Sequence, residues 1–134
     1  MSEKTTGYEE LFVETDDFIR QKLVQALKPW VGLQRDSDQV APREGFTSLP
    51  QQARILTCLL ARHAMVQAGV PGASLELSSD KIAEQCFLAK KGCKEQLSRM
   101  KATGLVELKG RGEGYFVPRS ALQLVCGNLQ KMVQ

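Results

Sequence analysis

A chain of 134 residues is the size of one ordinary domain and can bury a core without metal or disulfide staples. Its 43% hydrophobic and 25% charged residues match a soluble globular protein, and no apolar run approaches the roughly 18 residues that a membrane span needs. The first residues, "MSEKTTGYEE", are acidic and polar where a signal peptide would be basic and then apolar, so a cytoplasmic location is expected.

The net charge of +3 conceals two unlike halves. Residues 1–50 carry six Lys and Arg against nine Asp and Glu, whereas residues 51–134 carry twelve against six. Between Lys90 and Arg119 eight cations face three acids, which makes a polyanionic partner the reading to weigh against a merely solvated face.

Thr6 and Glu9 have the form of a capping box, and Leu11, Phe12, Phe18, Ile19, Leu23, Leu27 and Trp30 follow at helical spacing. Residues 1–32 are therefore read as an N-terminal amphipathic helix, closed by Pro29 and Gly32. Its apolar stripe needs a cover, supplied either by the rest of the chain or by a second copy in a homodimer. Residues 33–47 are polar, hold Gly, Pro, Ser and Asp and show no periodicity, so they read as a linker or surface loop.

Residues 48–134 form the principal domain. Ser48, with Gln51 three residues on, is read as the cap of a helix whose buried face is Ile55, Leu56, Leu59, Leu60, Ala64 and Met65, ended by Gly69 and Pro71. "SLEL" at 74–77 alternates as a minimal strand would, and Ser79 is read as the cap of a short helix with Ile82, Ala83 and Cys86 on one face. After a break at Phe87–Leu88, the apolar positions Cys93, Leu97 and Met100 mark another helix, with Gly104 where a C-cap glycine belongs. "LVELK" and "GYFV" then read as two strands around "GRGEG", with Leu105 and Phe116 as core anchors, before a last helix from Arg119 to about Met132.

Four cysteines, Cys58, Cys86, Cys93 and Cys126, form no close pair in sequence and read as buried free thiols. A zinc set with His63 is disfavoured, because positions 58 and 63 lie about 140° apart around a helix. The Gly-rich stretch fits no phosphate loop, since Gly110, Gly112 and Gly114 alternate and lead into a strand rather than a helix. No Ser-His-Asp set, His-Glu-x-x-His motif or carboxylate cluster appears, so no enzyme, catalytic residue, cofactor, metal site or small-molecule ligand is expected.

The expected fold class is mainly α with a small β-hairpin. The order helix, short strand, helix, turn, helix, two-stranded ribbon is that of a winged helix-turn-helix, here with an extra N-terminal helix and a C-terminal helix. A helix that reads a duplex must bury one stripe and present donors and positive charge on its other face. Cys93, Leu97 and Met100 supply the stripe, and Lys90, Lys91, Lys94, Ser98, Arg99 and Lys101 the other face.

The segment "IAEQCFLAKKGCKEQLSRMKATGLVELKGRGEGYFVP" resembles the DNA-binding half of GntR-type bacterial regulators and, more loosely, MarR-type ones. The similarity runs through the Ile-Ala helix, the Gly-Leu-Val exit and a wing ending Gly-x-Gly-x-Phe-Val, over Lys81 to Pro118. It departs at Ala89-Lys90-Lys91-Gly92, where the family has a Ser-Arg-x-Thr-type opening. It departs again at Glu95, often basic in the family, which could pair with Lys91 or Arg99 or accept from a cytosine amino group. Only about 16 residues follow Pro118, so the family's effector domain is not expected.

The expectation is sequence-specific binding of double-stranded DNA by a small bacterial, phage or plasmid transcriptional regulator. Lys90, Lys91, Lys94, Ser98 and Arg99 would lie in the major groove, with Lys109 and Arg111 on the wing and Gly110, Gly112 and Gly114 letting it approach the phosphate backbone. Two alternatives stay open: a winged helix used for protein–protein interaction, and a replication or partition initiator of a mobile element.

Overall fold

The computed structural model describes residues 16–110 and 114–132. Its elements are mainly helical with small antiparallel hairpins, and among the described residues no helix is long and apolar enough to cross a membrane.

The first helix, α1, runs Asp16–Leu27. It stops before Pro29, which disfavours helical geometry at Lys28. Leu23, Ala26 and Leu27 are buried, so this part of the stripe is covered by the chain's own core. The capping box and Leu11 lie outside the described residues.

Residues 33–47 are not a featureless linker. Strand β1 (Val31–Leu33) pairs antiparallel with β2 (Val40–Pro42), with Leu33 opposite Val40, and a 3-10 turn follows at Phe46–Ser48. Val31, Val40 and Phe46 join the core. Strands of three residues are too short for alternation to register in a sequence, which is why the stretch read as a loop.

Helix α2 (Gln51–Ala68) begins later than Ser48. The residue before a proline is driven to extended geometry, and Leu49 is so placed, with φ −69° and ψ 151°; the helix can start only beyond Pro50, with no side-chain cap. Ala53, Cys58 and Ala61 are buried as well as Leu56 and Leu60, so α2 is enclosed on most sides, as the central helix of a small core must be. The hydroxyl of Thr57 donates to the Ala53 carbonyl at 2.7 Å, which satisfies it inside this apolar surround.

Two buried polar side chains of α2 hold other segments. Arg62, 1% exposed, donates through Nε to the Ser74 carbonyl at 2.7 Å and through Nη1 to the Asp38 carbonyl at 2.6 Å, with the Asp38 carboxylate 3.6 Å from Nη2. It thus ties the β1–β2 loop to the segment after α2. Nε2 of His63 lies 2.6 Å from the Val117 carbonyl, which requires the tautomer with the proton on Nε2.

Helix α3 (Ser79–Cys86) is capped by Ser78, one residue earlier than expected, whose hydroxyl accepts from the Lys81 amide at 3.3 Å. It ends at Phe87, held at φ 58°, a left-handed geometry uncommon for a bulky residue. Arg54 of α2 stabilises this end, its Nη1 donating to the carbonyls of Cys86 at 3.0 Å and Phe87 at 3.4 Å. A cation at a helix C-terminus answers the unpaired carbonyls and the dipole together.

Helix α4 (Lys90–Ala102) follows after a three-residue turn. Past its end Gly104, at φ 84°, donates to the Lys101 carbonyl and Leu105 to that of Met100, the paired bonds of a glycine-terminated helix. Strand β3 (Glu107–Lys109) pairs antiparallel with β4 (Gly114–Phe116), Leu108 opposite Tyr115, and Tyr115 also exchanges two backbone bonds with Leu77. That single bridge is all of the strand expected at 74–77. The hairpin's deepest anchors are Val106 and Val117, while Phe116 is only partly buried; the phase of the ribbon is set by the Leu77 bridge rather than by the bulkiest residue.

Gly114 is buried against the chain itself. A Cβ there would stand 3.0 Å from that of Glu76 and 3.2 Å from the backbone of Leu77, at a φ of 148°. Its role is thus to admit the Leu77 segment, not a phosphate. Gly114→Ala is expected to cost about 2–3 kcal/mol through strain and crowding, measured by urea denaturation; an unchanged midpoint would show that the hairpin is not docked this way.

Helix α5 (Leu122–Met132) closes the core, with Leu122, Val125 and Leu129 packed inward alongside α1 and α2.

Candidate nucleic-acid interface

The basic surface is built on α4. Cys93, Leu97 and Met100 are buried as the spacing requires, and Gln96 fixes the helix to the start of α2 through hydrogen bonds to Gln52 at 2.9 Å and Gln51 at 3.5 Å. With the inner face fixed, helical geometry distributes the rest. Lys91 and Ser98 stand opposite the buried stripe, Lys90, Lys94 and Lys101 along one flank, and Arg99 towards the other with Gln96. All six are exposed. The helix thus carries five cations against the single carboxylate of Glu95.

The N-terminus of α4 adds to this field. Its cap is Ala89, with no side-chain hydrogen bond, and its first turn holds no acid. Its first amides and the positive end of the dipole are therefore not answered by a side-chain cap. No ion pair within 4 Å joins Glu95 to Lys91 or Arg99 among the described residues. Lys90 has a loose partner in Asp80 at 3.8 Å, both side chains more than half exposed, a pairing that water screens almost fully.

The expected residues do not form a single cluster. Lys90, Lys91, Lys94, Ser98 and Arg99 share α4, but Lys109, at the end of β3, donates to Oε1 of Glu76 at 3.2 Å and belongs to a neighbouring cleft. That cleft, about 370 Å³, is lined by Arg62, Ser78, Lys81, Lys109 and the acids Asp38 and Glu76 among others. Arg111 lies outside the described residues.

The cleft brings in a residue that sequence reading passed over. Lys81 is exposed in the first turn of α3, beside the Ser78 cap, and shares the cleft with Lys109. Its signal was present in "SSDKIAEQC", a lysine one turn into a capped helix, but only the tertiary fold puts that turn beside the hairpin.

The thiols and His63 take no part in this surface. His63 is turned to Val117, and among the described residues no group of three or more His, Cys, Asp or Glu could hold a metal ion. Burial lowers the pKa of His63 below the usual histidine value of 6.5, a backbone hydrogen bond to Val117 works against this, and the charge of Arg119 adds to it. The unfolded chain therefore takes up a proton that the folded chain resists. The stabilisation is complete above pH 6.5 and is lost as pH falls through the lower folded value. His63→Gln should flatten the fall in melting temperature below pH 6.5 relative to the parent chain; parallel curves would remove His63 as the cause.

Comparison with protein families, curated proteins and solved structures found no match to this chain.

Proposed function

We propose that α3, the three-residue turn and α4 form the helix-turn-helix of a sequence-specific double-stranded DNA-binding module, with α4 in the major groove and β3–β4 as its wing. The observation that carries the reading is the division of α4. One stripe is sealed in the core, and the exposed remainder offers five cations, a hydroxyl and a helix start without an acidic cap. A duplex presents base edges inside a wall of phosphates, and such a face matches both. Two helices joined by a short turn are the usual scaffold for placing it. The role fits a small transcriptional regulator of the GntR-like kind that segment 81–118 resembles.

On this reading the start of α3 faces the phosphate backbone that separates the two grooves. Lys81 then contacts a phosphate and carries no base information. Lys81→Ala is expected to weaken binding about equally across sequences and to make the slope of log affinity against log salt shallower by about 0.9. A change in sequence preference without a change in slope would refute that placement.

The reading as a whole is tested by selecting bound duplexes from a random pool at two salt concentrations. An enriched motif that persists at the higher salt establishes a specific DNA-binding protein, and absence of binding at both overturns it. A protein-interaction role is the second reading, and the observation in its favour is the ring of Phe87, 59% exposed at the turn. Recovery of no duplex would transfer the weight to it.

A further inference from the structure

The cysteines, distant in sequence, are not all distant in space. Cys58, midway along α2, and Cys86, the last residue of α3, bring their Sγ atoms to 3.1 Å across the helix interface, and both are fully buried. Cys86 also donates towards the Arg54 carbonyl at 3.4 Å. The other two thiols are engaged elsewhere: Cys93 points to the Ser79 carbonyl at 3.8 Å, and Cys126 lies on α5. A disulfide needs an S–S distance of about 2.05 Å, so the pair must close by only about 1 Å.

We propose that Cys58 and Cys86 are a reversible oxidation site, forming an intramolecular disulfide that ties α2 to the end of α3, with small soluble disulfides as the oxidant. The exchange balances without any other reagent. The Cys86 thiolate attacks one sulfur of oxidised glutathione, whose S–S bond breaks and releases one glutathione thiol. The Cys58 thiolate then attacks the Cys86 sulfur of the mixed disulfide, the new S–S bond forms and the second glutathione leaves. The protein gives up two electrons and two protons, and one glutathione disulfide becomes two thiols.

The order of attack follows from the fold. Cys86 is the last residue of an eight-residue helix, the element whose opening would expose it, whereas Cys58 sits in the middle of the enclosed α2. Contact with the Cys58 thiol and burial push the Cys86 thiol well up, so the closed form is slow to react. Opening of α3 sets the rate, and the finished disulfide, buried again, is shielded from reductant until the helix opens once more.

The location gives the bond a consequence. Cys86 immediately precedes Phe87, and Arg54 holds the carbonyls of both; the crosslink therefore fixes the turn that leads into α4. That consequence for DNA rests on the function proposed above, but the bond itself does not.

The test incubates the full-length chain with oxidised glutathione under native, mildly alkaline conditions, followed by alkylation in denaturant and mass mapping. Expected are the loss of two hydrogens, a linked Cys58–Cys86 peptide, and alkylated Cys93 and Cys126. The melting temperature should rise by about 10 °C, because the bond closes a loop spanning 28 positions, and dithiothreitol should reverse the rise. Cys58→Ala should instead hold a single glutathione on Cys86. Four alkylatable thiols after prolonged incubation, a different cysteine pair, or glutathione adducts in place of the crosslink would each overturn the proposal. Since every readout is made without DNA, failure of the DNA reading leaves it standing.

Discussion

With Lys90, Lys91 and Lys94 replaced together by alanine, affinity for duplex DNA is expected to fall between about tenfold and a hundredfold at physiological salt. Each lysine that neutralises a phosphate releases a counterion and adds about 0.9 to the salt slope, so three lost contacts should make that slope shallower by roughly 2 to 3. Lys90 contributes at the low end, because Asp80 already stands 3.8 Å from it. All three are exposed, and alanine is a better helix former than lysine, so the melting temperature should hold or rise slightly. Titration of a labelled duplex at several salt concentrations, with thermal melts alongside, reads both quantities. An unchanged slope in a folded variant would sink the major-groove placement of α4.

The largest loss of stability is expected at Arg62. Its guanidinium donates to the backbone carbonyls of Asp38 and Ser74, in two separate segments, and it is 1% exposed. Charge-assisted hydrogen bonds are worth more than neutral ones, and carbonyls left without a partner add their own penalty, so Arg62→Leu should cost about 3–5 kcal/mol. Lysine has the charge but not the planar fork, and Arg62→Lys should recover less than half of the loss. Urea unfolding of the three chains decides this. If Leu were as stable as Arg, the clamp would contribute packing alone.

These two expectations had unequal origins. The α4 lysines were legible in the sequence, because a helix writes its buried stripe as a fixed spacing and Cys93, Leu97 and Met100 leave the lysines only the outside. The stop at Gly104 was legible for a like reason, a local geometry that glycine adopts at little cost. Arg62 was not. A lone arginine within an apolar helix gives no sign of the carbonyls it will meet, since Asp38 and Ser74 reach it only through the folded chain.

The start of α2 shows a local rule overriding another. Ser48 and Gln51 offered a capping box, but Pro50 forced Leu49 to extended geometry and moved the helix start past them. The apolar residues of the 33–47 stretch entered the core without periodicity, because three-residue strands have none to show.

The sequence by itself determined the order of the helical segments, the buried stripe of α4 and the concentration of positive charge in residues 90–119, since each depends on spacing and composition along the chain. Only the tertiary structure decided what those elements meet. Gly114 faces Leu77, Lys109 is joined to Glu76 and placed beside Lys81, and Cys58 lies against Cys86, because contacts between residues tens of positions apart depend on how the helices pack, which no local pattern encodes.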